Sequence, residues 1–134
     1  MSGILDFLKA AAGICETSGL NPDRWQFDGN RATVKLNEVE QLKTPGGAVY
    51  LKGKGLKTPV LIVRTEQGDY RCLSNRCTHM GRRLDPVPGK PIVRCCSVNH
   101  SCFDYSGQKL SGPGNKPLKT YRSEVKNGDL VIFL

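Results

Sequence analysis

The sequence has few aromatic residues, few acidic residues and only two histidines. Aromatic residues make up 7% of the 134 residues, with a single tryptophan, and 12 Asp and Glu stand against 20 Lys and Arg. The hydrophobic fraction of 38%, with 15 Gly and 8 Pro, favours a loop-rich β-structure over a helical bundle. The length predicts one domain with a small core.

Long apolar runs are also absent, so no segment is expected to span a membrane. Apolar residues recur at helical spacing over residues 4–14 and predict a short helix that ends before Gly19 and Asn21-Pro22. This run lacks a basic segment before it and an A-x-A cleavage site, so it is not typical of a signal peptide. We expect residues 1–24 to form a helical extension that packs on the domain or on a partner, in a cytoplasmic protein. Attachment to a membrane surface is the less favoured alternative.

Basic motifs interleaved with aromatic residues are missing as well, although the formal net charge is +8. Such motifs, or a recognition helix, are what a basic domain uses to bind nucleic acid. Nucleic acid is therefore not expected as a partner, and most of the dispersed Lys and Arg residues are expected to be solvated surface.

Both histidines lie in two short segments that also contain cysteine. The first is Cys77-Thr78-His79-Met80-Gly81, and the second runs from Cys96 to His100. Thiolates and imidazoles bind iron or zinc, but a Cys-x-His pair is uncommon in structural zinc sites. One type of [2Fe–2S] cluster takes two Cys on one iron and two His on the other. The pattern favours Cys77, His79, Cys96 and His100 as ligands of such a cluster.

The first segment resembles the Rieske family, whose usual pattern is C-x-H and, after an interval, C-x-x-H. The second segment departs by one residue, because Cys96-Ser97-Val98-Asn99-His100 is C-x-x-x-H. Cys95 is the alternative ligand. Cys96 is preferred because sixteen residues separate it from His79, the family's common interval, and because Phe103-Asp104 follow at the family's usual distance. On this register Asn99 stands where the family has His. Either the loop bulges by one residue so that His100 reaches the iron, or the site is altered.

The resemblance covers residues 25–134 and implies an all-β fold. Short strands are predicted at 32–36, 48–51, 60–63, 69–73, 91–94, 101–105, 109–110, 118–125 and 130–133. Residues 38–42 predict a single helical turn. The implied architecture is an antiparallel β-sandwich or barrel, with a cluster-binding subdomain at about residues 74–111 and the short N-terminal helix.

The resemblance also implies the surroundings of the cluster. High-potential members have one extra cysteine in each loop, joined in a disulfide, and here those positions are Arg82 and Val98. Those members also use a Ser and a Tyr hydroxyl near the cluster sulfurs, where this chain has Ser101 and Phe103. We therefore expect a reduction potential below that of the quinol-oxidising class.

The remaining cysteines are Cys15, which is remote in sequence, and Cys72, Cys95 and Cys102 near the two segments. Their clustering and the missing secretory signal argue against a disulfide scaffold, so thiols are expected. A Cys95–Cys102 disulfide is the less favoured alternative.

No general base, nucleophile elbow or phosphate-binding loop is present outside the two segments. The expected function is a one-electron carrier that exchanges electrons with an oxygenase, reductase or respiratory partner, and not an enzyme by itself. A basic rim of Arg76, Arg82, Arg83 and Lys90 around the first segment would attract an acidic redox partner. The alternatives are a Rieske-fold subunit of a reductase with an altered or absent cluster, and a zinc-binding interaction module.

Overall fold

Three β-sheets contain almost all the regular structure of this computed structural model, which describes residues 15–78, 81–96, 101–112 and 116–134. The first sheet contains, in spatial order, β1 (Ser18–Gly19), β4 (Ala48–Leu51), β5 (Val60–Arg64), β6 (Tyr70–Ser74) and β11 (Thr120–Tyr121). The second contains β12 (Ser123–Lys126), β13 (Asp129–Phe133), β3 (Arg31–Lys35) and β2 (Trp25–Phe27). The third contains β10 (Lys109–Ser111), β9 (Cys102–Asp104), β8 (Ile92–Cys95) and β7 (Leu84–Pro86).

The strands pair antiparallel except for β1, which runs parallel to β4. This arrangement confirms the predicted all-β fold. Each predicted strand overlaps an observed one, but the predicted strand at 118–125 is two strands, β11 and β12, in different sheets. Short 3-10 turns lie at Pro22–Arg24, Leu36–Glu38 and Glu40–Leu42, so the predicted single turn at 38–42 is part of two consecutive turns. The strands predicted from the sequence do not include β1, β2 or β7.

Strand β5 explains the apolar run at residues 60–63, because it is buried on both faces. Val60 and Ile62 face the second sheet, whereas Leu61 and Val63 face the third, and all four are 0% exposed. Successive side chains of a strand point to opposite faces, so a strand between two cores needs apolar residues at every position. The first sheet is therefore the middle layer of the molecule.

The core between the first and third sheets, here called the site-side core, reaches the first predicted ligand. Its buried members are Leu61, Val63, Leu73, Cys77, Leu84, Val93, Cys95, Phe103 and Leu118. Burying each large aliphatic or aromatic side chain contributes about 1.5–3 kcal/mol. The apolar packing that stabilises the third sheet therefore also fixes the chain around Cys77.

The N-terminal part of the chain is described from residue 15 onward, so the predicted helix at residues 4–14 lies outside the described residues. Residues 18–19 form β1, and the turn at Pro22–Arg24 is capped by Asn21, whose side chain accepts a hydrogen bond from Asp23 N at 2.9 Å. The domain limits at residue 25 and at residues 74–111 stay predictions. Within the described ranges, no helix is long and apolar enough to cross a membrane.

Candidate cluster site

Cys77 lies in a closed turn between β6 and β7. Its backbone N–H donates to Arg82 O at 2.7 Å, and Gly81 N donates to Cys77 O at 2.8 Å. Gly81 has a φ of +71°, in the left-handed region that favours glycine. The Cys77 side chain is 2% exposed. In sequence His79 falls within this turn, but it lies outside the described residues.

Asn75 connects both ends of this turn to the neighbouring strands. Its backbone N–H donates to Pro59 O at 2.8 Å, and its side-chain oxygen accepts from Leu84 N at 2.9 Å. Asn75 is 2% exposed, and its side-chain nitrogen has no partner among the residues that the structure describes. The hydroxyl of Thr78 donates to Lys116 O at 2.9 Å, which joins the turn to the segment before β11. The turn is therefore held from three directions.

The second predicted loop begins where β8 ends. Cys95 N donates to Ser101 O at 2.9 Å, and Cys96 N donates to Arg83 O at 3.0 Å. Cys96 is 6% exposed and Ser101 is 1% exposed. His100, like residues 97–99, lies outside the described part of the chain. The structure thus brings the backbones of the two predicted cysteine ligands onto one segment, with Cys77 bonded to Arg82 and Cys96 to Arg83.

Cys96 forms a disulfide with Cys15, and the two Cα atoms are 5.5 Å apart. The sequence predicts Cys15 to be a thiol, and the disulfide corrects this prediction. Local sequence patterns could not reveal it, because the two cysteines are 81 residues apart. A sulfur in a disulfide is not available as a thiolate, which is the form that binds metal.

Asp85, on β7, lies beside this disulfide. One carboxylate oxygen accepts from Glu16 N at 2.8 Å and the other from Thr17 N at 3.0 Å. The metal-ligating atoms of Cys15, Asp85 and Cys96 all lie within 4.8 Å of one another. The carboxylate therefore fixes the two residues that follow Cys15, a role that the sequence pattern around Asp85 does not indicate.

The other four cysteines are outside disulfides, as expected, and so the alternative Cys95–Cys102 disulfide is not formed. Cys95 belongs to the site-side core together with Cys77. Cys72 lies in the core between the first and second sheets, where burial raises the pKa of its thiol to about 12, and a hydrogen bond with Ser123 lowers it in part. Cys72 is therefore a neutral core thiol.

The two cysteines fit a cluster in the chemistry of their sulfur donors. Cys77 and Cys96 are buried, and their backbones bond to adjacent carbonyls. Buried thiolates at the ends of paired loops are what a [2Fe–2S] site needs on its cysteine side. The fit holds for Cys96 once its bond to Cys15 is reduced.

The basic rim is exposed at Arg76, Arg82, Arg83 and Lys90. Arg83 also has a structural contact, because its guanidinium donates to the Tyr50 hydroxyl at 2.7 Å and lies 5.2 Å from the centre of that ring. Among the described residues, Arg76 and Arg82 take part in no ion pair. Phe103 is 0% exposed, so this position holds a buried ring without a hydroxyl.

Residues 32–122 match the family model of the Rieske [2Fe–2S] domain. The chain belongs to this family, and its all-β fold with a third sheet around the two loops is a Rieske-like fold. The cofactor of this domain is a [2Fe–2S] cluster.

Solved structures with this fold include Rieske proteins and Rieske-type ferredoxins. The cyanobacterial plasma membrane Rieske protein PetC3 from Synechocystis PCC 6803 is 26% identical, with a TM-score of 0.53 over 63% of this chain and 86% of that chain. The ferredoxin of carbazole 1,9a-dioxygenase from Nocardioides aromaticivorans IC177 is 18% identical, with a TM-score of 0.61 over 75% of this chain and 93% of that chain. A complex of reduced oxygenase and oxidised ferredoxin in carbazole 1,9a-dioxygenase contains a chain with a TM-score of 0.60 at 18% identity, covering 75% of this chain and 92% of that one.

Curated relatives of a different kind are also similar in sequence. Glutamate–tRNA ligase 1 of Brucella ovis and that of Brucella canis are each 26% identical over 132 residues, which is 94% of this chain. The chain spans 26% of the length of those ligases. This likeness covers a minor part of each ligase and assigns no activity to the chain.

Proposed function

We propose that this chain is a one-electron carrier in which Cys77 and Cys96 bind one iron of a [2Fe–2S] cluster and His79 and His100 bind the other. The observation that supports this most directly is the pair of hydrogen bonds from Cys77 N to Arg82 O and from Cys96 N to Arg83 O. They attach both cysteine backbones to the same two-residue segment, Arg82-Arg83, which supports a site shared by the two loops.

When bound, a cluster with two thiolates and two neutral imidazoles is neutral in its oxidised form and accepts one electron at about −150 to +300 mV. The chain sets the position within that range through its own residues. Ser101 is buried beside the second loop, and Phe103 is buried without a hydroxyl to donate. One hydrogen bond to sulfur is then retained and one is lost, which supports a potential below the quinol-oxidising class.

The partner is proposed to be a redox protein with an acidic docking surface, such as an oxygenase, a reductase or a respiratory protein. The basic rim supports this, because Arg76 and Arg82 are exposed next to the first loop. Complementary charge accelerates association at low salt, and screening weakens it as ionic strength rises. A complex of oxygenase and ferredoxin is known for a structural neighbour of this chain. A reducing cytoplasmic location would keep the ligand cysteines as thiols.

Visible absorption and EPR of the purified, anaerobically loaded protein test the proposal. A [2Fe–2S] cluster gives a red-brown protein, and mixed His and Cys ligation gives a reduced-state EPR spectrum with a low average g value. Cys77→Ser, Cys96→Ser and His100→Ala should lose this spectrum, whereas Cys102→Ser, which changes a nearby thiol outside a disulfide, should retain it. Retention of the spectrum in His100→Ala would show that His100 is not a ligand.

A second candidate is a Rieske-fold subunit that holds no cluster. The Cys15–Cys96 disulfide and the C-x-x-x-H spacing favour this candidate, because each would hinder the second loop from supplying its two iron ligands. Iron and sulfide analysis separates the candidates, since this subunit would remain free of iron after reduction and reconstitution. Colourless protein with stoichiometric zinc would instead identify a zinc-binding module.

A further inference from the structure

We propose that the Cys15–Cys96 bond is a reversible disulfide that controls cluster loading, so that this bond and the cluster exclude one another. The inference rests on the proposed function, in which Cys96 is a ligand. One sulfur cannot at the same time be half of a disulfide and a thiolate on iron. The N-terminal segment is thereby a redox-sensitive latch on the second loop.

The segment that carries Cys15 is held beside the site by contacts other than the disulfide. Both oxygens of Asp85 accept backbone N–H groups, from Glu16 at 2.8 Å and from Thr17 at 3.0 Å. Hydrogen bonds to a charged acceptor are stronger than those between neutral groups. Asp85 belongs to β7. The residue before it in the same strand, Leu84, pairs with Cys95 on β8. The contacts of Asp85 therefore place Cys15 next to the start of the second loop.

Strand β1 provides a second attachment of the same segment. It pairs parallel to β4, with Ser18 opposite Val49, and Leu20 N donates to Tyr50 O at 2.8 Å. A Cβ atom at Gly19 would lie 3.2 Å from the Tyr50 ring, a tighter approach than most side chains make. Reduction of the disulfide therefore leaves Cys15 close to Cys96. Two thiols that remain neighbours re-form their bond readily, because little chain entropy is lost on closure.

The two cysteines differ in burial, and this difference decides which of the two sulfurs an external thiol attacks. Cys15 is half-buried, whereas Cys96 is 6% exposed. A thiolate of a low-molecular-weight thiol attacks the Cys15 sulfur, forms a mixed disulfide there and releases Cys96 as a thiolate. A second low-molecular-weight thiol then attacks the mixed disulfide, bonds to the first one and releases Cys15 as a thiol. In total, two thiols are oxidised to their disulfide while Cys15 and Cys96 gain two electrons and two protons, and the reverse exchange restores the latch.

Thiol mapping of the wild-type protein is the first test. Protein treated with oxidised glutathione, and protein loaded with the cluster, are denatured without reductant in acid, alkylated and digested. In the oxidised sample, most of Cys15 and Cys96 should be recovered as the linked Cys15–Cys96 peptide. In the loaded sample, the fraction of linked peptide should fall in proportion to the iron bound. A fully loaded sample that retains the linked peptide would overturn the proposal.

Cys15→Ser is the second test, with Cys102→Ser as the matched control, because Cys102 is a thiol on β9 that takes part in no disulfide. After oxidation and removal of glutathione, cluster transfer from a donor complex is followed by absorption without added thiol. Wild type and Cys102→Ser should remain unloaded while Cys15→Ser loads, and prior reduction should remove the difference. Equal rates for all three oxidised proteins would refute the latch.

These outcomes separate the latch from the proposed function. If all three proteins load equally and show the mixed-ligand EPR spectrum, the electron-carrier proposal stands and the latch is wrong. If Cys96→Ser also shows that spectrum, Cys96 is not a ligand, and both the ligand assignment and the latch are wrong. The fluorescence of Trp25 reports whether each variant is folded, because this single tryptophan is 0% exposed.

Discussion

Replacing Asn75 with alanine should lower the free energy of unfolding by about 1.5 kcal/mol. The substitution removes the acceptor of the Leu84 N–H, a bond of 2.9 Å between residues that are 2% and 0% exposed. A buried donor left without a partner costs about 1–3 kcal/mol. Part of this cost is offset, because the side-chain nitrogen of Asn75 already lacks a partner within the described structure. The net effect therefore falls in the lower half of that range.

Urea denaturation followed by the fluorescence of Trp25 measures this effect, because the chain has one tryptophan and it is fully buried. With a dependence of about 2 kcal/mol per molar urea, the midpoint should fall by about 0.7 M. Wild type and variant are compared with the disulfide reduced in both, since a disulfide adds its own stabilisation. Asn30→Ala is the control, because Asn30 is exposed and donates to Asp28 through its backbone N–H, which the substitution keeps.

An Asn75→Ala midpoint equal to that of wild type would contradict the reasoning, since the Leu84 N–H would then have another partner. A fall of the same size in Asn30→Ala would show that any loss of asparagine has this effect. If instead the predicted loss is found, Asn75 is the residue that ties the ends of the Cys77 turn together. The cluster-loaded form of Asn75→Ala should then also release iron faster than wild type.

Three further predictions concern charge, the cluster environment and a core thiol. Arg82→Glu should slow association with an acidic redox partner roughly tenfold at low salt, measured by stopped flow, whereas Lys126→Glu on β12, with the same change in net charge, should not. Phe103→Tyr should raise the reduction potential by about 40 mV in protein-film voltammetry, the equivalent of one hydrogen bond of about 1 kcal/mol, and an unchanged potential would argue against the Cys96 register. Because burial raises the pKa of Cys72 to about 12, against an ordinary 9.0, its alkylation at pH 8 should be roughly a thousandfold slower than that of a small-molecule thiol with a pKa of 9.0. The same shift makes stability fall as pH rises from 9 towards 12, since the unfolded chain loses this proton first.

Strand periodicity could predict most of the fold, because burial on one or both faces leaves a direct mark on the sequence. The run at residues 60–63 is apolar at each position and forms β5, which is buried on both faces. By contrast, β7 consists of Leu84-Asp85-Pro86, which carries no alternation and ends in a proline. It becomes a strand because β8 offers it a partner, with Leu84 opposite Cys95. Such a strand forms because a neighbouring strand pairs with it, so the local sequence pattern does not predict it.

The candidate site was predictable in its residue types but not in its connection to the N-terminal segment. The Cys-x-His pair and the family spacing indicate Cys77 and Cys96, and the structure joins their two loops through adjacent carbonyls. The approach of Cys15 depends on the carboxylate of Asp85 and on the parallel pairing of β1 with β4. Each of these contacts joins residues that are 31 to 69 positions apart in sequence. A two-residue strand leaves too short a pattern to be found before the fold is known.

The two neighbouring cysteines of the second loop have different surroundings, and this difference bears on the ligand assignment. On β8, Val93 and Cys95 share the face that packs into the site-side core, as the two-residue period of a strand requires. Cys96 follows the strand and is bonded to Cys15 beside Asp85. If Cys96 is the ligand, that bond must be absent whenever the cluster is present. If Cys95 is the ligand, the Cys15–Cys96 disulfide and the cluster can be present in the same molecule. The state of this one disulfide in fully loaded protein therefore decides which cysteine binds the iron.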